Sequence, residues 1–438
     1  MASEAARLRP DALNPLKPLQ PFQPLRRNRD FLLLWGGQTV SEVGSQISVL
    51  ALPLVALVVL KASALQVALL SAATTSAFLL IALPAGVLVD RLPRRRLMLW
   101  CDLARVVLLG SVPVAQVAGV LTLGQLYGVA LLSSVCTVFF SVAYQSYLPT
   151  LVHRDQLMEG NGKLSTSQSV AQIAGPGLGA ALVGVIGAAK AMAGDAVSYA
   201  VSAGTLLAIR KAEPGPRDVA VGRVRMRTQI REGLAFVARD PILRRAVAWS
   251  GSANFFVIMV ESLGPVFLVR TLHLRPSYVG LMLAAGACGG VVGGLTAARL
   301  ANKVGSARIS WLSMTVFALP GLLIPAAGPG RLSLLFAAGW TSWTFSATVC
   351  GIALTSYRQA TCPPDLLGRV NAASRWVTWG TLPLGGIVGG ALAATVGVRT
   401  SLWIATAGGC LSGLWLFFSP LRGMRDIPEP AGALVGAR

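Results

Sequence analysis

The stretch Gly86-Val87-Leu88-Val89-Asp90-Arg91-Leu92-Pro93-Arg94-Arg95-Arg96 decides how this chain is read. It is a short basic connection between two apolar runs, at 65–89 and 97–119. It returns in weaker form, 212 residues later, as Ala298-Arg299-Leu300-Ala301-Asn302-Lys303-Val304-Gly305-Ser306-Ala307-Arg308. Apolar runs of this length separated by polar turns indicate a chain that crosses a membrane repeatedly, because a hydrocarbon core of roughly 30 Å needs about 20 apolar residues per helix. Further runs at 31–60, 123–148, 166–187 and 190–209 complete a first group of six. The second group lies at 246–269, 277–300, 307–327, 331–356, 372–395 and 398–420. Composition agrees: 54% of residues are hydrophobic, 13% are charged and the mean hydropathy is +0.65, which leaves too little polar surface to face water. Membrane-barrel strands would be about half as long and would alternate in polarity. The expected fold class is therefore all-α integral membrane, with twelve transmembrane helices in two six-helix pseudo-symmetric bundles.

The net charge of +21 does not signal nucleic acid, because it is spread over the loops rather than gathered on one soluble face. With both termini cytoplasmic, 31 of the 38 Lys and Arg residues fall on the cytoplasmic side. Six (Lys61, Lys190, Arg270, Arg275, Arg331 and Arg399) fall outside, and Arg105 lies within the third apolar run. The positive-inside rule thus predicts a multi-pass protein of a plasma-type, bacterial inner membrane with both ends inside. Residues 1–28, with Pro10, Pro15, Pro18, Pro21 and Pro24 among basic residues, read as a disordered tail. The bundles are expected at 29–210 and 241–420, and a second tail at 421–438. Between the bundles, 211–240 is a basic linker. Its Ile230, Leu234 and Val237 recur at i, i+4, i+7 and suggest a short amphipathic helix, although a plain topological linker explains them equally well. Six scattered cysteines and two distant histidines offer no metal ligand set. No G-x-x-x-x-G-K-[ST] loop is present, so the chain is not expected to be an enzyme or to need a cofactor.

The repeat extends beyond the opening stretch. At an offset of 212, Glu42 meets Asn254 and Val67 meets Val279. At 207, the segment Gly175-Pro176-Gly177-Leu178-Gly179 meets Leu382-Pro383-Leu384-Gly385-Gly386. Two such halves are what secondary-transporter architecture predicts. Gly385/Gly389, Gly386/Gly390, Gly289/Gly293 and Gly290/Gly294 repeat at i, i+4 and permit close helix approach, while Pro176 and Pro383 are expected to kink their helices.

Polar residues are costly in lipid, so their spacing marks an aqueous interior. The first segment carries Gln38, Glu42 and Ser45 on one face. The fourth carries Ser133, Thr137, Ser141 and Gln145 at uniform i+4 steps. The seventh offers Ser250, Asn254 and Glu261, and the tenth Thr341, Thr344, Thr348 and Thr355. These are candidate cavity-lining residues, although a hydroxyl can also satisfy itself on its own helix. Glu42 and Glu261 are the sharpest candidates for proton coupling or substrate binding. A carboxyl among apolar groups favours its neutral form and can take up and release a proton. Asp195 is a weaker candidate of the same kind, and Gln38 and Asn254 join this group, whereas Asp102 has Arg105 at i+3 for a local ion pair.

Gly86, Asp90, Arg91, Arg94 and Arg95 resemble the signature between the second and third helices of the major facilitator superfamily, with Pro93 in place of the usual second glycine. Gly175, Pro176 and Gly179 resemble the fifth-helix motif of its drug:proton antiporters. Asp102-Leu-Ala-Arg105, Pro149-Thr-Leu-Val152 with Asn161, and Gly368-Arg369-Val370-Asn371 are similar to the macrolide-efflux and siderophore-exporter-like members. The resemblance spans residues 29–420. It implies that the first, fourth, seventh and tenth helices line a central cavity and that Asp90 with its arginines acts as a conformational latch. It further implies that the protein exports an amphiphilic small molecule, such as a drug, antibiotic or natural product, by proton antiport with alternating access. Its partners would be that substrate, protons and the lipid bilayer, and the protein would be a monomer. A siderophore or lipid-like exporter, an uncoupled facilitator of the same fold, and a non-transporting membrane sensor or scaffold remain open alternatives.

Overall fold

The computed structural model describes residues 25–152, 156–211, 226–362 and 364–426, and among these no strand occurs. The first bundle contains α1 (Arg29–Leu54), α2 (Ala64–Arg91), α3 (Arg94–Val117), α4 (Leu123–Leu151), α5 (Leu157–Ile186) and α6 (Ala188–Ala208). The helix α7 (Met226–Arg239) follows. The second bundle contains α8 (Pro241–Val266), α9 (Pro276–Val304), α10 (Ser306–Leu312), α11 (Leu323–Ala326), α12 (Leu334–Thr361), α13 (Pro364–Val396), α14 (Val398–Ser412) and α15 (Leu414–Phe417). Because α10–α11 and α14–α15 each run as one span, the bundles hold six helical columns apiece, at the places the apolar runs predict. By length and apolarity alone nine spans among the described residues can cross a membrane, or ten when the bent α5 is one span. The remaining two columns are α6 and α12.

The internal repeat is visible in the backbone. Pro53 in α1 and Pro265 in α8 are 212 residues apart, and each precedes a π-helical turn, at Val55–Val59 and Phe267–Thr271. A proline inside a helix withdraws an N–H from the carbonyl four residues back, and a wider turn accommodates the defect. Each turn is followed two residues later by a residue in left-handed conformation, Lys61 (φ 51°) and His273 (φ 55°), again 212 apart. Packing repeats too. α1 lies against α5 and α6 as α8 lies against α13 and α14, and α2 lies against α4 as α9 lies against α12. The bundles meet along α2–α13 and α5–α9, two seams exchanged by the same pseudo-symmetry.

The seams close at one end only. A single apolar core there draws Leu54, Val55, Val67 and Leu70 from the first bundle together with Leu263, Phe267 and Val279 from the second. Arg270 Nη2 also donates to the Ala62 carbonyl across the junction. At the opposite, arginine-rich end the cores are separate. One holds Leu25, Phe31, Met98, Tyr147 and Leu206, and the other Val237, Leu243, Met314, Tyr357 and Leu421.

Several boundaries differ from the sequence reading. Residues 25–28 belong to the first bundle rather than to a tail. Leu25 is fully buried, Asn28 Oδ1 accepts from the Phe31 N–H at 3.1 Å, and Asn28 Nδ2 donates to the Leu151 carbonyl at 3.1 Å. The tail segments expected at 1–24 and 427–438 lie outside the described residues. Near the C-terminal end, the Arg425 carbonyl accepts from the Ala307 N–H and the Asp426 carboxylate from that of Ser306, so residues 421–426 pack on the start of α10. α5 and α13 begin about eight or nine residues before their apolar runs, because a helical ladder needs no apolar side chains once it leaves lipid. The linker helix is present as α7, with Val237 buried beside Ile242 and Leu243. α5 bends by 46° between Gln172 and Gly177, around Pro176, whereas α13 carries Pro383 within an unbroken span, Ala373–Val396.

Candidate functional site

Between the bundles, on the arginine-rich side of the shared core, lies a cavity of about 580 Å³. α1 brings Ser45, Gln46, Val49 and Pro53 to it, α2 brings Ser71, Thr74 and Thr75, and α4 brings Ser133 and Ser134. From α6 come Asp195 and Tyr199, from α8 Glu261 and Pro265, and from α12 Trp340 and Thr344. The rest of the wall is mainly aliphatic, including Leu50, Leu70, Val129, Ile258 and Leu283. This mixture of apolar walls with a few polar groups is usual for organic-ligand pockets.

Behind the first-bundle wall sits a buried charge. Arg105 is 4% exposed and Asp102 0%, and Arg105 Nη2 stands 2.6 Å from Asp102 Oδ1. The guanidinium lies 4.0 Å from the Tyr199 ring centroid and 4.7 Å from that of Phe140. Two faces of the cation are thus covered by aromatic rings, which attract it through their quadrupoles. The Tyr199 hydroxyl shares a 2.7 Å hydrogen bond with Ser45 Oγ, which connects this nest to the cavity wall. Ser198 Oγ donates to Asp195 Oδ1 at 3.0 Å, and Gln38 Nε2 donates to Glu42 Oε1 at 2.8 Å. Glu42 and Asp195 both lie within the electrostatic reach of Arg105. Glu261, in the second bundle, is open to the cavity and has no hydrogen-bond or ion-pair partner among the described residues.

Of the residues singled out by sequence, Glu261, Asp195, Ser45, Ser133 and Thr344 line the cavity. Ser133 Oγ is buried without a partner among the described residues and can bond to a ligand. Gln38 and Glu42 stand off the lining, beside the Arg105 nest. Asn254 donates to the Thr378 carbonyl of α13 at 3.0 Å, and Thr341 Oγ1 to the Ala285 carbonyl of α9 at 2.9 Å, so both join helices. Thr137 and Thr348 bond to carbonyls of their own helices, as does Ser141, and none of the three lines the cavity; nor does Gln145. Gly175 and Gly179 bring α5 onto α1, where a Cβ at Gly175 would collide with Gln46. Arg95 caps α6 by donating to the Leu206 and Leu207 carbonyls at 2.8 and 2.9 Å. The side chains of Asp90, Arg91 and Pro176, and any side-chain contact of Gly86, lie outside what is described. Sequence reasoning passed over Tyr199 and the central place of Arg105, although Arg105 was already distinct as the basic residue deepest inside an apolar run.

A family profile described as transmembrane secretion effector matches residues 19–431. The chain is 25% identical over 389 residues to macrolide efflux protein A of Streptococcus pyogenes, covering 84% of this chain and 90% of that one. It is 26% identical over 406 residues to the multidrug efflux pump Tap of Mycolicibacterium fortuitum, covering 90% and 96%. Its fold is similar to the crystal structure of the nucleoside transporter NupG, with a TM-score of 0.73 at 12% identity, over 89% of this chain and 98% of that one.

Proposed function

Because the chain belongs to the transmembrane secretion effector family of major facilitator transporters, we propose that it exports an amphiphilic small molecule in exchange for protons. The observation that carries this reading is the cavity itself. It lies at the junction of two pseudo-symmetric bundles, is closed at one end by a shared core, and holds Glu261, which has no partner among the described residues. The names of the efflux relatives support the export direction. Placing the arginine-rich end in the cytoplasm of a plasma-type bacterial membrane makes the closed end external, so the cavity faces the compartment that supplies the substrate. The two seams, α2–α13 and α5–α9, are the surfaces along which a rocking motion would open that end and close the other. Asp90, with Arg91 and Arg94 at the arginine-rich end of α2 and α3, would latch the bundles when that end closes.

The carboxyls supply the coupling. A carboxyl in a water-poor site gains or loses its proton according to what shares the site, so proton and substrate compete for it. Glu42, held by Gln38 near Arg105, and Glu261, free in the cavity, are the two groups in this role. The expected result in inverted membrane vesicles is uptake from a panel of drug-like compounds that requires an acid-inside pH gradient. Glu42→Gln and Glu261→Gln should each reduce this uptake at least tenfold without reducing the amount of protein in the membrane. Uptake by the wild type that ignores the gradient would remove the antiport reading, and no uptake of any compound would favour a sensor.

A further inference from the structure

We infer that Cys101 of α3 and Cys136 of α4 form a dithiol site that a small-molecule disulfide converts into a covalent staple between the two helices, slowing transport. The site lies within the first bundle, and neither cysteine lines the cavity. Its effect on transport rests on the export reading, whereas the staple itself does not. Three observations single out this pair. The two thiols are hydrogen-bonded to one another across the packed α3 and α4. Cys101 is 6% exposed in the core that also holds Met98, Phe140 and Tyr147, and Cys136 packs against that core while staying half-buried. Arg105, one turn along α3, donates through Nε to the Cys101 carbonyl at 3.3 Å, and its guanidinium lies within electrostatic reach of both sulfurs. Other cysteines show the usual fate of a small buried thiol: Cys410 Sγ donates to the Ala318 carbonyl at 3.5 Å, and Cys350 pairs with the Ser313 hydroxyl.

Hydrogen-bonded thiols already have their β-carbons turned toward each other, which is the condition a disulfide sets. The half-buried Cys136 is the thiol that a small oxidant reaches first. Its sulfur, as thiolate, attacks one sulfur of a disulfide R–S–S–R, forming a mixed disulfide and releasing one R–S⁻. The Cys101 sulfur then attacks the Cys136 sulfur and expels the second R–S⁻. The protein gives up two electrons, the oxidant accepts them, and the two thiol protons leave on two molecules of R–SH. Arg105 supplies a counter-ion for the charge on the attacking sulfur. The new bond draws the sulfurs from hydrogen-bond contact to about 2.05 Å, so α3 and α4 must shift together. That movement falls on the Arg105 nest. Cys101 carries the carbonyl to which Arg105 donates, and Cys136 stands one turn from Phe140, whose ring covers the guanidinium. Thiols within reach of a reducing cytoplasm stay reduced at rest, so the staple would form under disulfide stress and reverse with it.

The test uses dithiodipyridine as the oxidant. Purified full-length protein in detergent is treated with it, then mapped by proteolysis and mass spectrometry. The expected result is that the Cys101 and Cys136 peptides are joined directly in most of the protein, with no pyridyl adduct left on either. In inverted vesicles the same treatment should lower uptake of drug-like compounds at least fivefold, and dithiothreitol should restore it. The double variant, Cys101→Ser with Cys136→Ser, should transport like the wild type and lose less than twofold on treatment. Folded wild-type protein that carries no link after treatment, with or without mixed adducts, overturns the inference. So does a fully linked protein with undiminished uptake, or a double variant inhibited as strongly as the wild type. The mapping uses the unaltered protein and needs no transport. A protein that links these cysteines and moves no compound would therefore sink the export reading alone.

Discussion

Arg105→Met is expected to lower the melting temperature of the purified protein sharply and to reduce transport to background. The substitution keeps an unbranched chain about as long as the Arg105 stem and removes the guanidinium with its charge. Asp102 is then left as a carboxylate with no exposed surface and no cation at 2.6 Å. Removing one partner of a buried ion pair costs about 3–5 kcal/mol, because the other charge stays desolvated and uncompensated. The contacts with the Tyr199 and Phe140 rings go as well, each worth up to about 2 kcal/mol when desolvated. These losses are not additive, since all four side chains form one nest. A double variant, Asp102→Asn with Arg105→Met, should recover part of the melting temperature by removing the stranded charge, while transport stays low because Asp195 and Glu42 have lost their cationic neighbour. Thermal unfolding of the single and double variants checks this. A single variant that melts like the wild type contradicts the role given to the nest.

The second large effect is expected at the closed end. Gly280 of α9 faces Ala180 of α5 across the seam, and a Cβ at Gly280 would lie 3.0 Å from the Ala180 Cα and 2.9 Å from Leu50 Cδ2, besides colliding with the Ala180 Cβ. Gly280→Leu therefore forces the two bundles apart where the shared core seals them. Overpacking of this kind costs about 1–3 kcal/mol in a rigid interior. Under the proposed rocking motion the two bundles part here, so the strain should appear as failure to close rather than as unfolding. Transport should fall more than tenfold with little change in melting temperature. Gly128→Ala in α4, where an added Cβ meets nothing within 4 Å, should leave both unchanged. Wild-type transport by Gly280→Leu would show that the seam does not need to close this tightly.

Much of the architecture was legible because membrane insertion writes it into the sequence. Apolar length marks each span, and the offset of 212 that pairs Glu42 with Asn254 reappears in Pro53 and Pro265 and in the left-handed Lys61 and His273. The polar starts of α5 and α13 were not legible, since a helix outside lipid carries no apolar signature. The site was legible only in part. Uniform i+4 spacing put Ser133, Thr137, Ser141 and Gln145 on one face, yet only Ser133 reaches the cavity, since depth along the helix is not encoded in the spacing. Thr341 illustrates the second limit: a hydroxyl at helical spacing can serve a neighbouring backbone, here Ala285, as readily as a ligand. Arg105 illustrates the third. Its isolation in an apolar run was visible, but its partners come from α4 and α6 as well as from α3, and only packing brings Phe140 and Tyr199 to it.

The central claim is that substrate and protons cross in opposite directions through one cavity. Proteoliposomes holding the purified protein, with an acid interior reported by a pH-sensitive dye, test it most directly. Adding outside a compound that the inverted vesicles take up should discharge the gradient within the period of its uptake, in wild-type vesicles and not in those carrying Glu42→Gln or Glu261→Gln. A gradient that stays intact while the compound accumulates would contradict the account.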